Sequence, residues 1–217
     1  MPLDTDKYIM AECCSKIICK GCDYANQRRE LEERLGRKCE FCREPTPDTE
    51  GEGDKQRMKR VEANDPVALC QEGLLQDIEG EGDYGTAFNY YSKAAELGDV
   101  AAHYQLATLY HNGYGVEKDR GKEIHHLEEA AIGGHPSARY NLGCDEWNND
   151  NAERAVKHWI IAATQGYDDS IKALMNEFRS GIVSKEDLAA ALRAHQIAVD
   201  STKSPHREVA EKYAYKP

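Results

Sequence analysis

Long apolar runs are missing from this chain of 217 residues. The longest, such as Trp159–Ala163 and Leu188–Leu192, fall well short of the ~18–20 residues that cross a bilayer, and mean hydropathy is −0.76. An ordinary membrane span is excluded. No apolar signal core lies between Met1 and Glu12, so the expected location is intracellular, cytoplasmic or nuclear. Basic charge is in deficit: 28 Lys and Arg face 39 Asp and Glu, a formal net charge of −11. Residues 1–60 hold 13 acidic and 13 basic side chains, so the remainder carries the whole excess. A nucleic-acid binder needs a basic face to displace counterions from phosphates; neither nucleic acid nor membrane is expected as a partner. Histidine is absent before His103, and cysteine is scarce after Cys42, with only Cys70 and Cys144 beyond it. Any metal site near the N-terminus must therefore be built from thiolates alone.

What is present is a repeat. Four segments open on Asn64-Asp65-Pro66, Gly98-Asp99-Val100, Gly134-His135-Pro136 and Gly166-Tyr167-Asp168, at spacings typical of helix-pair solenoids. A second marker keeps the same register: Ala94-Ala95, Ala130-Ala131, Ala162-Ala163 and Ala198-Val199. Apolar positions Ala87, Phe88, Tyr91, Ala94 and Ala95 draw one stripe down a helix, and Val156, Trp159, Ala162 and Ala163 repeat it. Paired alanines predict close helix approach, and the glycine after each pair predicts a left-handed cap. Asp150 with Glu153, and Ser184 with Asp187, are spaced as capping boxes.

The motifs Asn112-Gly113-Tyr114-Gly115 and Ala130-Ala131-Ile132-Gly133-Gly134-His135, with Tyr104-Gln105-Leu106, resemble the Sel-like repeat, a relative of the tetratricopeptide repeats. The resemblance implies an all-α, right-handed α/α solenoid of about four helix pairs over residues 64–203, with units from 64, 98, 134 and 166. In the first unit Glu72 takes the place that leucine holds at Leu106, Leu142 and Leu174, which suits a terminal unit with a wet outer face. Residues 204–217 are expected to cap the last unit. Some Sel-like members are described as β-lactamases, but no Ser-x-x-Lys or Lys-Thr-Gly occurs here, and His125-His126 lacks the second histidine of a HExxH zinc site. His125 and His126 are expected on a helix flank and His195 in the core. Cys70 and Cys144 are expected as small core groups, and Tyr104, Tyr110, Tyr140 and Trp147 as packing between repeats. No catalytic residue is expected.

The head, residues 1–46, carries the sharp motif, Cys13-Cys14-x4-Cys19-x2-Cys22-x16-Cys39-x2-Cys42. CxxC pairs are the usual knuckles of zinc sites, and so small a segment needs metal to fold. A charged helix is expected over Ala25–Leu35, stopped by Gly36. From Cys14 to Pro45 the pattern resembles the second half of a RING finger. That resemblance implies two cross-braced zincs: one using Cys19 and Cys22, and one using Cys14, Cys39 and Cys42 with Cys13 as fourth ligand, since Lys16 stands where histidine is usual. No CxxC precedes Cys13 to complete the Cys19 and Cys22 site, so either the partner pair is expected upstream of Met1 or the finger is degenerate. One zinc is expected, at Cys13, Cys14, Cys39 and Cys42, and the Cys19 and Cys22 site is incomplete. RING fingers dock a ubiquitin-conjugating enzyme, and Arg43 stands where the family places an arginine that clamps the ubiquitin conjugate. Residues 47–63 are expected as a charged linker, flexible or loosely helical, since Glu44–Arg60 is rich in Pro, Gly, Glu and Lys with almost no apolar residue. Two functions follow as expectations: an interaction scaffold whose acidic solenoid holds a protein partner, or a ubiquitin ligase whose repeats choose the substrate.

Overall fold

The computed structural model describes residues 8–11, 13–14, 16–33, 36–39, 41–78 and 82–201. Strands β1 (Tyr8–Met10) and β2 (Ile17–Cys19) lead into helices α1 (Lys20–Glu32) and α2 (Glu50–Glu62). Eight helices follow in pairs: α3 (Pro66–Ile78) with α4 (Tyr84–Glu96), α5 (Val100–Asn112) with α6 (Arg120–Ile132), α7 (Pro136–Asn148) with α8 (Ala152–Thr164), and α9 (Asp168–Arg179) with α10 (Lys185–Ser201). The chain divides into two compact units, and the division falls inside α3, between Glu72 and Gly73. Residues 204–217, the expected cap, lie outside the described residues.

Three-residue junctions set the repeat. After α4, α6 and α8 the chain turns through Gly98, Gly134 and Gly166 at φ of 87°, 88° and 81°; after α2 it turns through Asn64 at 58°. The next amide then bonds back across the turn, as Asp99 N–H does to the Ala94 carbonyl at 3.0 Å and His135 N–H to Ala130 at 2.9 Å. That same residue starts the following helix. Asp99 Oδ1 accepts from Ala102 N–H at 2.7 Å, and Asp65 Oδ1 accepts from Val67 and Ala68 N–H. At the junctions before α3, α5 and α7 one residue thus ends one helix and caps the next, whereas Tyr167 before α9 makes no side-chain cap bond. The shared residue leaves the junction little slack and holds the period.

In the second unit each helix from α4 to α10 packs on its neighbour in sequence. Ala94, Ala130, Ala162 and Ala163 are completely buried, as the alanine markers predict. Size is matched within a pair. A Cβ on Gly73 would meet the Tyr91 ring at 2.6 Å, and one on Gly143 would meet Trp159 at 2.5 Å. Between these, Ala107 packs in one cluster with Leu127. A missing side chain on the first helix makes room for a large one on the second.

Four expectations need correction. Asp150 does not cap α8: it sits at φ 62°, and the N-cap Asn151 makes no side-chain bond. Ser184 does accept from Asp187 N–H at 3.0 Å, as its box predicts. Helix α1 begins at Lys20 rather than Ala25, preceded by a two-stranded hairpin. Residues 50–62, expected as a flexible or loosely helical linker, form a regular capped helix; Thr49 Oγ1 accepts from Glu52 N–H, and Glu52 accepts from Asp48 N–H. Finally, Glu72 is not wet. It is 8% exposed, and Arg57 Nε on α2 meets its carboxylate at 3.1 Å.

The Arg57–Glu72 pair gives a test. Arg57→Ala strips a nearly buried carboxylate of its guanidinium, a loss that costs 3–5 kcal/mol when both partners are fully buried. Here both side chains keep slight solvent contact, 14% and 10%. About 2 kcal/mol is expected, read as a drop in the urea midpoint, and the Arg57→Leu/Glu72→Leu double variant is expected to recover most of it.

Candidate metal centre

Two turns in the head hold the cysteines. Strands β1 and β2 pair antiparallel with Met10 opposite Ile17, and the Ala11 amide donates to the Lys16 carbonyl at 2.8 Å. Cys13 and Cys14 sit in the loop so closed. The second turn is a hairpin in which Cys39 N–H donates to Glu44 O at 2.8 Å and Thr46 N–H to Arg37 O at 3.1 Å. Arg43 closes it with its amide on the Cys39 carbonyl, at φ 66°. Helix α1 ties in through buried Glu30, whose carboxylate accepts from Lys38 N–H at 3.4 Å.

These turns bring the Sγ atoms of Cys13, Cys14, Cys39 and Cys42 to within 4.8 Å of one another. Cys42 and Cys13 are 3.2 Å apart, and Cys14 and Cys39 are 3.6 Å apart. A tetrahedral ion with metal–sulfur bonds near 2.3 Å requires sulfurs separated by about 3.8 Å, so the spacing suits one such ion. The charge balance agrees. Burial holds the Cys13 thiol well above its ordinary range, and the thiols of Cys42 and Cys39 add to it. Burial likewise raises Cys14, against a backbone bond from Lys16. Cys39 is also penalised by burial, yet the amides of Cys42 and Phe41 favour its thiolate enough to bring it below the usual value. The Phe41 amide lies 3.4 Å from Cys39 Sγ. Cys13 and Cys14 thus hold their protons more firmly than free thiols, and a dication among the four sulfurs would displace them.

The other predicted head residues lie elsewhere. Among the described residues Cys22 stands apart from the cluster, exposed on the first turn of α1. Cys19 ends β2, and its side chain is outside the described residues. Because α1 starts at Lys20, this CxxC spans a strand end and a helix start instead of a knuckle turn. Arg43 is exposed beside Cys42.

Comparison with known proteins bears on the repeating part. The family model described as "Sel1 repeat" matches residues 68–99, 100–135 and 136–167, in register with α3–α4, α5–α6 and α7–α8. The three matches run end to end over residues 68–167, just under half of the chain. The fourth pair, α9–α10, continues the architecture beyond the match. A Sel1 repeat protein from Oxalobacter formigenes has a similar fold, with a TM-score of 0.58 at 25% identity, covering 83% of this chain and 73% of that one. A protective antigen with an SLR fold from uropathogenic Escherichia coli superposes at 0.46 with 15% identity, covering 88% of this chain and 51% of the other. Chitin synthase regulatory factor 4 of Schizosaccharomyces pombe is 31% identical over 86 residues, which is 39% of this chain and 14% of the yeast protein. The chain thus spans about a seventh of that relative's length.

Within the helix-pair repeats the aromatic residues do pack as expected. Tyr104 stacks on His135 at 4.3 Å, Tyr110 meets Phe88 edge-on, and Trp147 tilts against Trp159. Tyr140 packs against Tyr167. Cys70 is buried and Cys144 half-buried. His195 Nε2 lies 2.9 Å from Asp168 Oδ1 in a mostly buried position. His125 is exposed, as a flank residue should be, but His126 turns inward: its Nδ1 is 3.0 Å from His103 Nδ1, and burial, with the neighbouring histidines, pulls it down to about 4.

His135 caps α7 in the way that Asp99 caps α5. Its Nδ1 accepts from Ala138 N–H at 3.2 Å, so the ring must be neutral with its proton on Nε2. Burial pulls its pKa down from 6.5 to about 3. The sign follows: the unfolded chain takes up this proton near 6.5 while the folded chain resists it, so stability is full above 6.5 and falls steadily towards pH 3. His135→Asn keeps a capping acceptor that does not titrate. Its melting temperature is expected to decline less between pH 6.5 and 4 than that of the unaltered chain; parallel declines would refute the assignment.

Sequence reasoning missed one constellation here. Arg120, Glu123 and Asp145 gather around a crevice between α5, α6 and α7. Their signal was faint: Arg120 opens α6 and Asp145 lies 25 positions on, with no fixed motif joining them.

Proposed function

We propose that this chain is a protein-binding scaffold: its Sel1-repeat body grips a protein partner, and its head folds around one zinc held by Cys13, Cys14, Cys39 and Cys42. The observation that supports the first part is the unbroken packing of α4 through α10, helix on neighbouring helix. Such an array multiplies surface from near-identical units without building a single reaction centre. We read it as a binder with no reaction of its own. The yeast relative is named a regulatory factor, which fits action through contact with an enzyme. The all-sulfur donor set favours zinc over harder cations, and four free thiols suit a reducing, intracellular compartment.

In-cell cross-linking with the full chain, followed by mass spectrometry, tests the scaffold. Reproducible cross-links from one partner to lysines of residues 84–201 are expected. A partner attached only through the head, or no partner at all, would remove the reading.

One observation favours a second reading. The four clustered cysteines are those that the RING resemblance assigns to one zinc, and Arg43 stands exposed beside them. In that reading the head docks a ubiquitin-conjugating enzyme and the repeats choose the substrate. Autoubiquitination by the full chain, lost in Arg43→Ala, would establish it; a blank reaction with a panel of conjugating enzymes would dismiss it.

A further inference from the structure

The crevice between α5 and α7, floored by α6, has a volume of about 350 Å³, within the range of pockets that take small groups. Tyr104, Leu127 and Cys144 line its apolar part. Two carboxylates face in from different helices. The Glu123 side chain is 10% exposed and that of Asp145 is 18% exposed. Across them lies Arg120, itself 55% exposed, with one terminal nitrogen 2.6 Å from Glu123 and the other against Asp145. His111 Nδ1 reaches Glu123 at 3.0 Å. The amides of Asn141 and Asn148 line the same crevice and make no hydrogen bond among the described residues.

A guanidinium spanning two carboxylates is the strong, geometry-specific form of charge-assisted pairing. The chain's own arginine therefore displays the chemistry this crevice selects. Arg120 holds its place weakly, however, because more than half of it is in solvent and such pairs contribute little. The acidic excess of the whole chain draws basic segments towards it. We propose that this crevice is an anchor site for a basic side chain, arginine above all, of a protein partner, and that Arg120 is its built-in competitor, swinging out when the partner's guanidinium enters. The proposal rests on the scaffold reading and names the chemistry of its partner. The two uncommitted amides on α7 would meet the peptide backbone on either side of the anchor.

The test uses the full ¹⁵N-labelled chain and three blocked pentapeptides, Gly-Ala-Xaa-Ala-Gly with Xaa arginine, citrulline or glutamate. Saturable shifts at amides of α5, α6 and α7 are expected with arginine alone. Arg120→Gln should tighten the arginine peptide about 5-fold by removing the competitor. Asp145→Asn should weaken it about 10-fold or more. Should Asp145→Asn fail to fold, the exposed Arg120 variant still decides. Equal shifts with citrulline, preference for the glutamate peptide, unchanged or weaker arginine binding in Arg120→Gln, or no saturable shift at all would each overturn the proposal. A cross-linked partner whose capture is indifferent to Asp145→Asn would remove the anchor and leave the scaffold standing.

Discussion

Cys39→Ser is expected to empty the head of metal. Elemental analysis of the purified full chain should find about one zinc per molecule, and the variant should hold almost none, because removing one thiolate opens a structural site that is closed by four ligands. Cys39 is the decisive ligand. It is the most buried cysteine of the four, at 4% exposure, and the one whose thiolate the Phe41 and Cys42 amides already favour. Structural zinc in small domains carries apparent free energies of about 10–16 kcal/mol at neutral pH, more than a segment of this size gains from its core. The head should therefore unfold in Cys39→Ser, and in the unaltered chain on adding a chelator. Cys22→Ser is the control: exposed on α1 and apart from the cluster, it should keep the zinc. Zinc-free protein from a zinc-replete preparation would defeat the assignment, as would metal lost equally from both variants.

How much of this was legible beforehand depended on whether a signal was local. The junctions were readable because one dipeptide does both jobs: Gly98 supplies the positive φ and Asp99 the capping carboxylate, side by side in sequence. The alanine pairs were readable because close packing repeats at a fixed offset. The four clustered cysteines followed from the RING resemblance, which pairs two distant turns. The hairpin that presents Cys13 and Cys14 did not, since strands of three residues are too short to show alternation. Glu72 misled for a different reason. A charge in a leucine register reads as solvent-facing, and its partner Arg57 belongs to a helix with hardly any apolar stripe, which composition alone marks as linker. The crevice acids were hidden likewise, because an ion pair across helices leaves no periodic trace.

Gly143 and Trp159 show what such non-local matching is worth. Glycine inside a helix ordinarily costs about 1 kcal/mol against alanine, so its place in α7 needs a reason. That reason is the Trp159 ring, which occupies the space a Cβ would need at 2.5–2.7 Å. Trp159 is 4% exposed and sits in the cluster that joins α8 to Leu174, Val183 and Ala191. Trp159→Ala should therefore cost about 4 kcal/mol, the usual price of opening so large a cavity. Gly143→Leu alone should also destabilise, by about 3 kcal/mol, because the ring has nowhere to go. Together the two changes should cost less than the sum of the singles, since leucine on α7 fills what the indole leaves. Because neighbouring helices share this core, loss here should lower the main unfolding transition rather than create a separate one. The indole N–H has no hydrogen-bond partner among the described residues, so Trp159→Phe sheds an unsatisfied donor along with part of the ring and should cost the least. Denaturant midpoints of the four variants decide it: strictly additive losses would mean that Gly143 and Trp159 do not share their space, and the size matching that orders these repeats would have to be given up.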